Sequence, residues 1–139
     1  MKVLVDTSVW SLALRRKHHS LSSKEARVVA ELLELIREGR AQMVGLVRQE
    51  LLSGVKTAEQ FEALRQKLQS FPDERMETVD HEDAARSGNQ CRARGVAASI
   101  VDALLCAAAM RRGWALFSTD PDFARFATVL PLTLHAPRG

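Results

Sequence analysis

The chain begins with a run, Val3-Leu4-Val5, that contains no polar position and stops at Asp6. A half-exposed strand alternates apolar and polar side chains, so an unbroken apolar run marks a strand covered on both faces. Two further runs behave alike: one read as a strand over 41–47, ending in Met43-Val44-Gly45-Leu46-Val47, and one over Trp114-Ala115-Leu116-Phe117. Segments with helical spacing separate them, and short buried strands alternating with helices assemble into a parallel sheet. The expected fold class is α/β, a three-layer α/β/α sandwich around a central parallel sheet. A chain of 139 residues suits a single domain over 1–139 with one hydrophobic core.

Ser22-Ser23-Lys24-Glu25 has capping-box spacing ahead of Val28, Val29, Leu32, Leu33, Leu35 and Ile36, which recur at helical intervals, and Gly39 ends that helix. Thr57-Ala58-Glu59-Gln60 repeats the pattern before Phe61, Leu64 and Leu68, and the helix closes before Pro72. Further helices are expected over 7–14 and 48–53, from a cap at Asp80 to about Arg94, and from Ser99 to about Arg112, where Gly113 breaks the pattern. The remaining expectations are a brief strand over 76–79, a short helix opening at Asp120-Pro121, and an edge strand or extended tail over 129–134.

The formal charge of +3 permits an acidic partner such as nucleic acid without requiring one. Cys91 and Cys106 lack metal-binding spacing and read as reduced structural thiols. No apolar run approaches the roughly 20 residues needed to cross a bilayer, and residues 1–5 read as a strand rather than a leader. The expectation is a soluble, cytoplasmic protein with no membrane partner.

The acids carry the functional signal. Asp6, Glu50 and Asp120 follow apolar runs, and Asp102 lies within Ile100-Val101-Asp102-Ala103-Leu104-Leu105. Singly, each has a structural explanation. Asp102 completes a capping box with Ser99, Asp120 caps a helix that starts with proline, and Glu50 complements a helix dipole. Together they are harder to explain. Residues 103–110 form an almost uniformly apolar helix, no Lys or Arg occurs between Gly95 and Met110, and a buried carboxylate needs a partner charge, a metal or a raised pKa. A cation shared by Asp102 and Asp6 answers that need. Oxygen donors select Mg²⁺ or Mn²⁺ over Zn²⁺, and none of the four histidines has ligand spacing. A carboxylate-held Mg²⁺ activates water against phosphodiesters, which is nuclease chemistry. Basic residues at Arg15-Arg16-Lys17, Arg92 with Arg94, and Arg111-Arg112 read equally as phosphate contacts or as solvated helix ends. With no Tyr in the chain, contact with an RNA backbone or a folded RNA shape is favoured over base-by-base stacking.

Four segments in order resemble the motifs of the PIN-domain ribonucleases, specifically the toxins of VapBC-type toxin–antitoxin pairs. They are Val3-Leu4-Val5-Asp6-Thr7-Ser8-Val9-Trp10, Leu46-Val47-Arg48-Gln49-Glu50-Leu51-Leu52-Ser53-Gly54, Ile100-Val101-Asp102-Ala103-Leu104-Leu105-Cys106-Ala107-Ala108, and Leu116-Phe117-Ser118-Thr119-Asp120-Pro121-Asp122-Phe123. The resemblance implies a Rossmann-like fold and a Mg²⁺ site, with Mn²⁺ substituting, held by Asp6, Glu50, Asp102 and Asp120. Asp6 and Asp102 would lie closest to the ion. Ser118 would orient a carboxylate, Thr7 would support the ligands from behind, and Asp122 would be a further acid, ranked lower because Pro121 separates it from Asp120. It also implies a homodimer, a small antitoxin that plugs the acidic groove, and tRNA or rRNA as target.

Other classes remain open at this point. A haloacid-dehalogenase-type phosphotransferase would need an acid at position 8, where Ser8 stands. A receiver-like domain would need acids paired near the amino end and a late lysine. A PIN-like nuclease of RNA processing, or a non-catalytic PIN-like binding module whose acids are only caps, is the alternative.

Overall fold

The computed structural model describes residues 1–15 and 18–139. The basic positions Arg16 and Lys17 lie outside the described residues. Strand β1 (Val3–Val5) leads into helix α1 (Thr7–Leu14), α2 (Ser23–Arg37), β2 (Ala41–Val44), α3 (Gly45–Leu52) and α4 (Ala58–Leu68). Then follow β3 (Asp73–Glu74), α5 (Thr78–Ala93), α6 (Ile100–Arg112), β4 (Ala115–Phe117) and α7 (Asp122–Phe126). The four strands form a parallel sheet in the order β3-β2-β1-β4, flanked by the helices in the expected three-layer arrangement.

Every residue of β1 and β4 is buried, as a strand covered on both faces requires. Leu4 pairs with Gln42 on one side and Leu116 on the other. The tail adds a single parallel bridge, Leu116 with Leu134, so residues 129–134 are an extended tail that touches the sheet at one point. The chain runs outward from β1 to β2 and β3, then returns to the far side of β1 as β4. The carboxyl ends of β1 and β4 therefore flank the place where the strand order reverses, and crevices open there in such sheets.

Two expected elements are displaced. Strand β2 stops at Val44 and α3 begins at Gly45 rather than at Arg48, so Glu50 lies in the second turn of the helix rather than in its first. Val47 and Leu51, four residues apart, are its buried positions; a run as short as 43–47 carries no period that distinguishes strand from helix. The brief strand expected over 76–79 is instead β3 at Asp73–Glu74, pairing Met43 with Asp73 and Val44 with Glu74. It is an edge strand of two acids, which hydropathy does not reveal. Arg48 secures it, donating to Asp73 Oδ1 at 2.9 Å, to the Leu68 carbonyl at 3.0 Å and to the Phe71 carbonyl.

Asp80 does not cap α5 but sits at its third position, accepting the Glu77 N–H at 2.8 Å in a reciprocal box. Its carboxylate is fully buried and receives Arg111 Nε at 2.8 Å and Arg112 Nη1 at 2.7 Å. Arg111 and Arg112, read above as phosphate contacts or solvated helix ends, are thus bound to Asp80, Glu77 and Glu74. Gly113, at φ 69°, ends α6 in the left-handed region that a Cβ disfavours. At the other edge, buried Glu31 of α2 receives His135 Nε2 at 2.6 Å and Arg138 Nε at 3.0 Å, tying the C-terminal tail to that helix. Both cysteines are free and buried. Among the described residues no helix is long and apolar enough to cross a membrane.

Candidate metal centre

Asp6 ends β1 and is the N-cap of α1, a local role that its position after a strand had not revealed. It is buried, yet no cationic side chain among the described residues pairs with it. Its Oδ2 accepts the Ser8 hydroxyl at 2.8 Å and the Ser118 hydroxyl at 2.7 Å, with the Ser8 N–H at 3.4 Å. Each hydroxyl is aimed in turn by a backbone donor: the Thr119 N–H reaches Ser8 Oγ at 3.0 Å, and the Asp120 N–H reaches Ser118 Oγ at 3.0 Å. All the hydrogen bonds fall on one oxygen, and Oδ1 accepts none from a described residue. Ser118 therefore stands where an orienting hydroxyl was expected. Ser8, considered above only as a missing acid, supplies the second. The Asp-x-Ser spacing of a helix start was the signal for it.

Asp102 enters from the first turn of α6, where Ser99 Oγ accepts its backbone N–H at 3.0 Å. Asp120 and Asp122 enter from the segment after β4. The Asp122 N–H donates to Asp120 Oδ1 at 2.9 Å, and Pro121 has helical dihedrals, so the proline turns the two acids together rather than separating them. Carboxylate oxygens of Asp102, Asp120 and Asp122 all lie within 4.8 Å of one another, the one such group among the described residues. The geometry thus ranks Asp122 above its sequence-based place.

Burial raises the Asp102 pKa first; the Ser99 hydroxyl opposes this, and the charges of Asp6, Asp120 and Asp122 raise it further. These three hard oxygen donors, of which Asp122 is also paired with Arg125 Nη1 at 2.5 Å, fit a divalent cation of the Mg²⁺ or Mn²⁺ kind. Glu50 stands outside this group, exposed on α3, with Thr7 Oγ1 donating to its Oε1 at 2.7 Å.

The expected RNA contacts are dispersed. Arg15 lines a basic cavity with Lys56 and Lys67 at the end of α1 remote from Asp6. Arg92 donates to Asn89 Oδ1 at 2.9 Å, and exposed Arg94 ends α5, a few residues before the helix that carries Asp102.

Residues 3–129 match the PIN domain family. The chain belongs to that family. No curated protein matches the sequence at a significant level. Among solved structures, the PIN fold seen here resembles FitAcB from Neisseria gonorrhoeae, with a TM-score of 0.76, 20% identity and 97% of each chain covered. It resembles VapBC2 from Rickettsia felis, solved bound to a DNA fragment from their promoter, with a TM-score of 0.73, 16% identity, and 97% and 98% of the two chains covered. FitAB bound to an IR36 DNA fragment gives 0.72 and 19%, covering 97% and 94%.

Proposed function

We propose that this PIN domain is a divalent-metal-dependent endoribonuclease, the toxin of a toxin–antitoxin pair. The observation that carries the reading is the convergence of Asp102, Asp120 and Asp122 within 4.8 Å at the switch point, beside a buried Asp6 that has no cationic partner among the described residues. Asp6, Asp102, Asp120 and Asp122 would hold Mg²⁺ or Mn²⁺, and Glu50, held by Thr7, would act from the edge of the group. When bound, such an ion stabilises charge on the scissile phosphate and lowers the pKa of water. The chain's own contribution is alignment. Ser8 and Ser118 saturate Asp6 Oδ2 and leave Oδ1 for the ion, and the Asp120–Asp122 turn fixes two further carboxylates. RNA hydrolysed in this way carries a 5′-phosphate and a 3′-hydroxyl.

The similarity to FitAB and VapBC2 over nearly the whole chain supports a cognate antitoxin, and the motif resemblance adds a homodimer, a cytoplasmic role and tRNA or rRNA as substrate to the proposal. The test is cleavage of total RNA with Mg²⁺ or Mn²⁺ by nuclease-free protein, against Asp6→Asn and Asp102→Asn. Cleavage by the parent alone is expected. Equal cleavage by both variants would overturn the proposal, and sequencing the cut ends names the target.

A further inference from the structure

A cavity of about 660 Å³ opens beside the Ser8 and Ser118 hydroxyls that hold Asp6, between α1, the first turns of α2 and the C-terminal tail. Its volume is that of a small-ligand site. Buried Leu12, Val28 and Phe117 give it an apolar floor, and Pro137 closes one side. Above the floor stand donors with no partner among the described residues: the Lys24 ammonium, the Arg27 guanidinium and the hydroxyls of Ser11 and Thr119. Glu25, also at the wall, accepts the Ser22 N–H in the capping box of α2.

Lys24 and Arg27, like Arg15, Arg75 and Arg94, have no ion-pair partner among the described residues, and they are the two of these that line this cavity, while other arginines are engaged. Arg48 holds Asp73, Arg111 and Arg112 hold Asp80, Arg125 holds Asp122 and Arg138 holds Glu31. Lys24 and Arg27 are three residues apart on α2 and so share one helix face. We propose that this cavity seats the nucleotide adjoining the scissile phosphate of a single-stranded RNA. Lys24 and Arg27 bind its phosphates, Ser11 and Thr119 its sugar, and the apolar floor its base. The inference rests on the nuclease reading and deepens it. A paired duplex does not enter a cavity of this size, so the site selects unpaired segments.

The test is the double variant Lys24→Ala/Arg27→Ala, with Arg37→Ala/Arg86→Ala as a control of equal charge change at two exposed arginines outside the cavity. The probe is a labelled single-stranded RNA pool cleaved in Mn²⁺. Against the control, the double variant is expected to raise KM about tenfold, the effect of roughly one lost charged contact or more. Its salt dependence should flatten by about 1.4 log units per log unit of salt, from about 0.7 per single-strand phosphate contact. The Mn²⁺-induced rise in Tm should match that of the parent. A KM and salt slope equal to the control's would overturn the proposal. So would unchanged KM together with lost binding of an oligoglutamate peptide, which would assign the cavity to an acidic protein segment. Failure of the parent itself to cleave the RNA while still binding Mn²⁺ would sink the nuclease reading, and this site with it.

Discussion

Replacing Asp102 by Asn removes one charge from a group of three while keeping the shape and the helix start, because the cap bond from the backbone N–H of residue 102 to Ser99 Oγ survives the change. Two neighbouring carboxylates approach within 4.8 Å. Each pair at that separation repels by about 0.9 kcal/mol in water and about 3.5 kcal/mol at the dielectric of a protein surface. Asp102 is only half-buried, so solvent screening favours the lower end, and the α6 N-terminus offsets part of the remainder. The expected net gain for the metal-free variant is about 1–2 kcal/mol, or roughly 2–6 °C in Tm for a chain of this size. Metal should reverse the order. At about 100 times its Kd, Mn²⁺ stabilises the parent by about 2.7 kcal/mol, while the variant gains little. Thermal unfolding in EDTA and in Mn²⁺ reads both effects. A variant less stable than the parent in EDTA would mean that the carboxylate acts only structurally. An undiminished Mn²⁺ response would remove Asp102 from the ion.

Asp80→Asn should destabilise the fold by about 3 kcal/mol, the low end of the cost of removing one partner from a buried ion pair, because Arg111 and Arg112 keep Glu77 and Glu74; urea denaturation yielding under 1 kcal/mol would refute this. Arg112 and Arg111 hold the Asp80 carboxyl well below the usual range, while at Glu31 burial pushes upward but is outweighed by Arg138 and His135. For both acids the unfolded chain takes up protons first. Their stabilisation is therefore present above the ordinary carboxylate pKa of about 4 and is lost as pH falls through the lower folded values. Urea midpoints measured down the acid range should decline steeply in the parent and less steeply in Asp80→Asn. Ser8→Ala/Ser118→Ala should weaken Mn²⁺ binding about 10–100-fold in calorimetric titration, since both hydroxyls orient Asp6; unchanged affinity would leave the serines without that role.

How far the sequence was legible depends on whether a segment has a period or a partner. β1, β4, α2 and α6 were readable because unbroken apolar runs and capping spacings are local signals. The start of α3 was not, because Val47 and Leu51 declare a helix only once Gly45 is known to turn. β3 is held by Arg48 and by register with β2, both contacts distant in sequence. Asp6, Asp102 and Asp120 were legible as acids at strand ends or beside a buried helix. The proximity of Asp122 to Asp102 and Asp120 was not legible because the dihedral angles of Pro121, not its chemistry, decide where the next residue points. The link from Ser118 to Asp6 spans 112 positions and follows from two parallel strands being neighbours.

The fold treats its three buried carboxylates unequally, and the inequality points to the site. Asp80 has two guanidinium groups, and Glu31 has one together with an imidazole. Among the described residues Asp6 has only hydroxyls and an N–H, which orient a charge without neutralising it. The helix that carries Asp102 does contain two arginines, but they lie at its opposite end and are committed to Asp80. A 13-residue helix rises about 20 Å, so those cations contribute little across the intervening distance under physiological screening. Arg111, Arg112 and Arg138 are thus placed to stabilise packing at the far end of α6 and along α2. At the switch point the same helix and strands β1 and β4 bring Asp102, Asp6 and Asp120 together without a cationic partner among the described residues, Asp122 alone being paired, with Arg125, and a diffusible divalent cation is the partner whose chemistry fits them.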